Sequence, residues 1–223
     1  VHVGAVTTAD AVALARHAAR IGADAVSSVT PIYFSYPAEA VFEHYRQVGA
    51  ASDLPLFVYH LSGVSQLPPD PREYVERLLQ IPNIAGMKIT DKDLYPFGLI
   101  HAYAGDRLRL LSGADEVMCH AVLSGAAGAI GTFYNLWGPA CHAAREAMVR
   151  GEVETAREFM LRFQVVIARV LSAGSLWSFL RAGMRRKYGI DVGMPRPPLG
   201  ATDKPWDDAE VDRLIERVDR GVA

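Results

Sequence analysis

Cysteine is nearly absent: Cys119 and Cys141 are the two in 223 residues. Neither belongs to a Cys-x-x-Cys pair, which excludes a disulfide framework and a thiolate metal knuckle and leaves buried thiols in a reducing compartment as the expectation. The seven histidines include no His-Glu-x-x-His arrangement. No apolar run approaches the roughly 18 residues needed to cross a bilayer, and no secretory leader is read at the start. A formal net charge of −2 gives no electrostatic footprint for nucleic acid or an anionic membrane. The one basic cluster, Arg181, Arg185, Arg186 and Lys187, reads as a solvated helix face. A soluble, cytoplasmic protein without a metal is expected.

What the chain does contain is alternation. Half of its residues are hydrophobic, and they recur first with strand and then with helix spacing. Val1-His2-Val3 reads as a strand. Thr7-x-x-Asp10 then opens a helix carrying Leu14, Ala18 and Ile21, and Gly22 stops it. Residues 23–30 form the next predicted strand, closed by Pro31, and Val41, Tyr45 and Val48 mark a second helix. Residues 54–60 have the composition of a strand buried on both faces. Asp70-Pro71-x-Glu73 is a strong helix start.

Residues 84–90 supply another strand, residues 95–104 a helix, 108–112 a strand, 116–123 a helix and 128–132 the last strand. From Trp137 onward the pattern is wholly helical. Its longest run is 153–171, with Ala156, Phe163, Val166 and Val170 on the inward stripe, and helices near 175–188 and 207–220 follow.

Six strand-plus-helix units precede a helical extension, which indicates an α/β protein with a parallel sheet and right-handed crossovers. A closed (β/α)8 TIM barrel has eight such units in roughly 250 residues, so the first two are expected before Val1. An open doubly wound sheet is the alternative, but no Gly-x-Gly-x-x-Gly follows a strand. The predicted organisation is one domain: residues 1–136 a partial barrel, and residues 137–223 the last barrel helix plus the extension. Six parallel strands alone would leave two unpaired edges.

In such a barrel the carboxyl ends of the strands share one mouth, where chemistry is placed. The residues expected there are Tyr33, Tyr59, Lys88, Thr90, Gly113, Asp115, Glu116 and Thr132. Lys88 ends the apolar stretch Ile84-Ala85-Gly86-Met87. Burial disfavours a charged amine, and a neutral amine attacks a carbonyl to give a Schiff base. Tyr59 is a candidate proton shuttle or a rim tyrosine of the core. Asp115 and Glu116 are either the acidic first turn of a helix or acceptors for substrate hydroxyls.

Four segments carry a resemblance: Thr30-Pro31-Ile32-Tyr33-Phe34, Leu56-Phe57-Val58-Tyr59-His60, Gly86-Met87-Lys88-Ile89-Thr90, and Gly128-Ala129-Ile130-Gly131-Thr132-Phe133-Tyr134-Asn135. With them the chain resembles the N-acetylneuraminate lyase and dihydrodipicolinate synthase family, pyruvate-dependent class I aldolases of the (β/α)8 fold. The likeness runs from Val1 to about Leu199. Three details favour the N-acetylneuraminate lyase branch: Asp93-Leu94-Tyr95 after Lys88-x-Thr90, the segment Gly113-Ala114-Asp115-Glu116, and Gly131-Thr132-Phe133-Tyr134-Asn135, which is similar to that branch's Gly-Ser-Thr-Tyr-Asn.

The resemblance implies that Lys88 forms the Schiff base with pyruvate or a bound sugar acid and that Tyr59 relays protons. It also implies that Thr90, Gly113, Asp115, Glu116 and Thr132 contact a hydroxylated tail, and that Tyr33 lies near a subunit interface in a homotetramer. No cofactor is implied.

Two departures accompany the likeness. The family's Gly-x-x-Gly-Glu segment, which cradles the pyruvate carboxylate, has no counterpart in this chain. Ser62-Gly63-Val64-Ser65 replaces the usual Pro-Ala-Leu-Ser/Thr-Gly after Tyr59-His60. The expected activity is cleavage of N-acetylneuraminate or a related 2-keto-3-deoxy sugar acid to pyruvate and an aldehyde sugar. The alternatives are a dihydrodipicolinate synthase-like or 2-keto-3-deoxy sugar acid aldolase, and a non-catalytic truncated paralogue.

Overall fold

A computed structural model describes residues 1–65 and 67–220. The chain divides into two compact units, one of residues 1–114 and 123–130, the other of residues 115–122 and 131 onward.

The first unit is a parallel sheet in the order β1-β2-β3-β4-β5, comprising Val26–Val29, Leu56–Leu61, Ile84–Thr90, Arg109–Ser112 and Gly128–Ala129. The helices α1 (Thr8–Arg20), α2 (Ala38–Gly49), α3 (Pro71–Leu78) and α4 (Leu94–Ala104) alternate with the strands. Of the six strands expected, five form. Val1-His2-Val3 is a single parallel bridge beside β1: Ser27 N donates to Val1 O at 2.9 Å and Val3 N donates to Ser27 O at 2.7 Å. The last strand is shorter than expected, although Ile130 N still donates to Ser112 O at 2.8 Å.

The helix starts follow from their caps. Thr7 Oγ1 accepts from Asp10 N at 3.1 Å, and Asp70 Oδ1 accepts from Arg72 N and Glu73 N at 2.8 and 3.2 Å, with Pro71 opening the helix. Each such acceptor satisfies amides that have no partner within the helix. Asp93 is also a cap, accepting from Tyr95 N at 3.0 Å. The inward stripe of α1 is Ala11, Ala15 and Ala18, and Leu14 and Ile21 are exposed. Residues 11, 15 and 18 follow helical spacing, so the small side chains face inward and the larger pair falls outside that stripe.

Strand side chains alternate between faces. Val26, Ser28 and Thr30, then Leu56, Val58 and His60, then Met87 and Ile89, then Leu110 and Ser112, are buried. This face packs on the helices: His44 of α2 lies 3.2 Å by Nε2 from Ser28 Oγ and 3.0 Å by Nδ1 from Thr8 Oγ1. Each large apolar side chain buried there contributes about 1.5–3 kcal/mol. The opposite face carries Ser27, Val29, Phe57, Tyr59, Leu61, Lys88, Thr90 and Leu111, all half-buried. β2 is therefore sealed on one face only, and Phe57, Tyr59 and Leu61 on the other are half-buried.

The second unit contains most of α5 (Met118–Leu123) together with α6 (Tyr134–Val149), α7 (Val153–Ser172), α8 (Leu176–Tyr188) and α9 (Asp208–Asp219). Trp137 is fully buried, stacks with Phe179 and meets Phe163 edge-on. It also breaks helical geometry two residues before Pro139, which lacks the amide that would continue the helical hydrogen bonds and kinks the helix there. Phe159, Phe163 and Phe179 are core, and Cys119 and Cys141 are free and buried. The basic cluster on α8 is balanced by acids: Arg181 pairs with Asp191, Arg186 with Asp208 and Asp212, and Lys187 with Asp219. No described helix is long and apolar enough to cross a membrane.

Candidate active site

Tyr59 and Lys88 are direct neighbours in the parallel register of β2 and β3, and Leu61 pairs with Thr90. Register alone thus places amine, phenol and hydroxyl on one face near the carboxyl ends of two adjacent strands. Lys88 Nζ lies 4.1 Å from the centre of the Tyr59 ring, a distance at which a cation is held by the ring's negative face. Thr90 Oγ1 donates to Tyr59 Oη at 3.1 Å. Because the phenol oxygen accepts that bond, its own proton is left for another acceptor.

Gly113 makes room for these groups. A Cβ at that position would overlap Thr90 Oγ1 and would lie 2.8 Å from Lys88 Cε. Gly113 N donates to Ile89 O at 2.8 Å, so the close approach is fixed by the backbone. The resemblance implies a substrate contact at Gly113, and its lack of a side chain also leaves room for the lysine stem.

The segment that departs from the usual loop is tied down by its serines. Ser62 donates to Thr90 O through both N, at 3.1 Å, and Oγ, at 3.0 Å. Ser65 Oγ lies 3.0 Å from His60 Nδ1 and accepts from Leu61 N at 3.3 Å. Two hydroxyls therefore hold the turn after β2 against the ends of β2 and β3.

One neighbour was missed. The His2 ring meets Tyr59 edge-on with centroids 6.0 Å apart, and His2 Nδ1 is 2.9 Å from Ser27 Oγ. Burial lowers its basicity, and the nearby Lys88 charge and the amino-terminal charge act in the same direction. The signal was strand alternation: in a parallel bridge with Ser27, His2 falls on the same face as Ser27 and Tyr59.

Tyr33 lies in the loop between β1 and α2, exposed, with its ring edge-on to Phe34 at 4.8 Å. Among the described residues no hydrogen bond or ring contact joins it to Tyr59 or Lys88.

Asp115, Glu116 and Thr132 belong to the second unit. Asp115 is buried and accepts from Phe133 N at 2.7 Å through Oδ2. A Cβ on Gly131 would collide with that carboxylate, so Gly131 and Asp115 form one close-packed corner. The carbonyl of Glu116 accepts from Gln164 Nε2 at 2.6 Å. Thr132 is half-buried, and its carbonyl accepts from Asn135 Nδ2 at 2.8 Å. Among the described residues no group of three or more His, Cys, Asp or Glu is disposed to hold a metal ion.

A parallel β/α sheet whose strands follow chain order with no reversal is the arrangement of a β/α barrel rather than of a doubly wound sheet. The chain belongs to the dihydrodipicolinate synthetase family, whose model matches residues 1–217. It is 34% identical over 203 residues to an N-acetylneuraminate lyase of Mus musculus, which covers 89% of this chain and 63% of that protein. It is likewise 34% identical over 221 residues to an N-acetylneuraminate lyase of Rhizobium meliloti (strain 1021), covering 97% of this chain and 70% of that one. The chain thus spans under two thirds of the mouse relative's length.

Among solved structures, the Proteus mirabilis N-acetylneuraminate lyase superposes with a TM-score of 0.81 at 26% identity, covering 99% of this chain and 73% of that one. The wild-type Ruminococcus gnavus sialic acid aldolase superposes with a TM-score of 0.89 at 24% identity, covering 99% and 73%, and speaks for the fold.

Proposed function

We propose that the chain carries the Schiff-base half of a class I aldolase site and that its reaction is the reversible cleavage of N-acetylneuraminate, or a close 2-keto-3-deoxy sugar acid, to pyruvate and an aldehyde sugar. The observation that carries this reading is the placement of Lys88, Tyr59 and Thr90 on adjacent parallel strands, with the phenol accepting from Thr90. Two relatives named for this lyase, each 34% identical, support the choice of substrate.

The chemistry follows from the geometry. Once it gives up its proton, the Lys88 amine adds to the keto carbon, and loss of water leaves a protonated imine. That imine withdraws the electron pair of the bond one carbon away. As the bond breaks, the hydroxyl proton of the departing sugar passes to a base, the aldehyde forms, and an enamine remains on the lysine. Tyr59 moves that proton, a role that needs hydrogen-bond reach to the reacting atom. Protonation of the enamine and hydrolysis return pyruvate and free amine. No cofactor takes part, and the reading expects a cytoplasmic homotetramer with Tyr33 near a subunit boundary.

The test is pyruvate release, followed with a coupled dehydrogenase, from N-acetylneuraminate and from shorter keto-deoxy acids. Release from N-acetylneuraminate that disappears in Lys88→Ala is expected. Release that persists in Lys88→Ala would overturn the mechanism, and release from shorter acids alone would overturn the substrate.

A further inference from the structure

Behind the sheet, on the face away from Lys88, lies a cavity of about 520 Å³ bordered by β1, β2, α2 and α3. This is the size range of small-molecule sites, roughly 300–1,000 Å³. Beside the more exposed Ser35, Tyr36 and Ser65, four buried polar residues line it: Thr30, Tyr45, His60 and Tyr74. They are only 6, 2, 6 and 8% exposed. Thr30 Oγ1, Tyr45 Oη, Tyr74 Oη and His60 Nε2 have no hydrogen-bond partner among the described residues, and none is sealed against surrounding atoms. Each of the four atoms still reaches the cavity, and together they offer hydrogen bonds to whatever occupies it.

The chemistry of the walls narrows the occupant. No Asp, Glu, Lys or Arg lines the cavity. Burial lowers the basicity of His60, against the opposing charge of Asp91, and burial raises both phenols. A charged ligand would lose its hydration with no countercharge in the wall. Phe34 and Phe42 add aromatic faces, which suit the apolar faces of a saturated ring, while hydroxyls and imidazole both donate and accept.

We infer that this cavity binds an uncharged, hydroxylated ring compound of the neutral sugar or glycoside class, at a site separate from the lysine. His60 immediately follows Tyr59 on β2, and strand alternation sends their side chains to opposite faces. The inference does not depend on the aldolase reading, and its probe is chosen to keep the two apart.

The experiment is an NMR titration of the protein with methyl α-D-mannopyranoside, which has no free carbonyl for Lys88 to attack, observing the imidazole of His60 and the ring signals of Tyr45 and Tyr74. Saturable shifts are expected, with none from sodium acetate at the same concentrations. Affinity is expected to fall about tenfold in Tyr45→Phe/Tyr74→Phe, which loses two hydrogen bonds and keeps both rings, and to be unchanged in Lys88→Ala. The wild-type titration decides without any variant: an unsaturable response at His60, or an equal response to acetate, overturns the inference. Unchanged affinity in the folded double variant, or affinity lost in Lys88→Ala, overturns it as well.

Discussion

Replacing Gly113 with alanine adds one methyl group at the closest approach in the site. The new carbon would overlap Thr90 Oγ1 and would sit 2.8 Å from Lys88 Cε. Non-bonded carbons rest about 3.5–4.0 Å apart, so the lysine stem would have to retreat by about 0.7–1.2 Å. Thr90 would also have to leave its 3.1 Å bond to Tyr59. The backbone offers no easy escape, because Gly113 N is bonded to Ile89 O at 2.8 Å. Gly113 does not have a positive φ, so any defect comes from crowding rather than from backbone strain.

Overpacking of this kind costs about 1–3 kcal/mol of stability. A displacement near 1 Å at a reacting group lowers a rate on the order of 100-fold. The assay is the rate of pyruvate-dependent borohydride trapping beside the thermal melt of the same variant. An unchanged trapping rate at an unchanged Tm would refute the reasoning, since it would mean that lysine and threonine do not need the space.

Three further outcomes are expected. Tyr59→Phe keeps the ring beneath the Lys88 amine and removes the proton carrier; adduct formation should survive while turnover falls about 10²–10⁴-fold, as single-turnover and steady-state rates would show. Asp115→Ala leaves the Phe133 amide without its acceptor and should cost about 1–3 kcal/mol of stability, read from urea unfolding; unchanged stability would free Asp115 for a substrate role. His2, His44 and His60 all have basicity lowered first by burial from the ordinary value of 6.5. Below that value the unfolded chain binds more protons than the folded one, so stability should be full above it and fall as the pH drops through it toward the lower folded values; a Tm constant from neutral pH down to pH about 5 would contradict this.

Local chemistry made much of the fold readable. Thr7, Asp70 and Pro71 mark helix starts because a side-chain oxygen, or a missing amide, suits the unsatisfied first turn, and each does so here. Lys88 and Tyr59 could be placed at strand ends because an apolar run ending in a polar residue is a local pattern. What depends on neighbours distant in sequence was not readable. Leu14 gave way to an alanine stripe in α1, a choice made by the surface against which the helix packs. Asp115, which the resemblance assigns to a hydroxylated tail, also holds the Phe133 amide, eighteen residues on. The outward cluster of Thr30, Tyr45, His60 and Tyr74 draws on four separate elements, so no single stretch announces it.

The central claim is that Lys88 presents a nucleophilic amine to a bound 2-oxo acid. Incubation with pyruvate and borohydride, followed by peptide mass spectrometry, measures this directly. The predicted result is one reduced adduct on the peptide containing Lys88, absent when pyruvate is omitted and absent in Lys88→Ala. Folded protein that gives no adduct, or an adduct on another lysine, would contradict it.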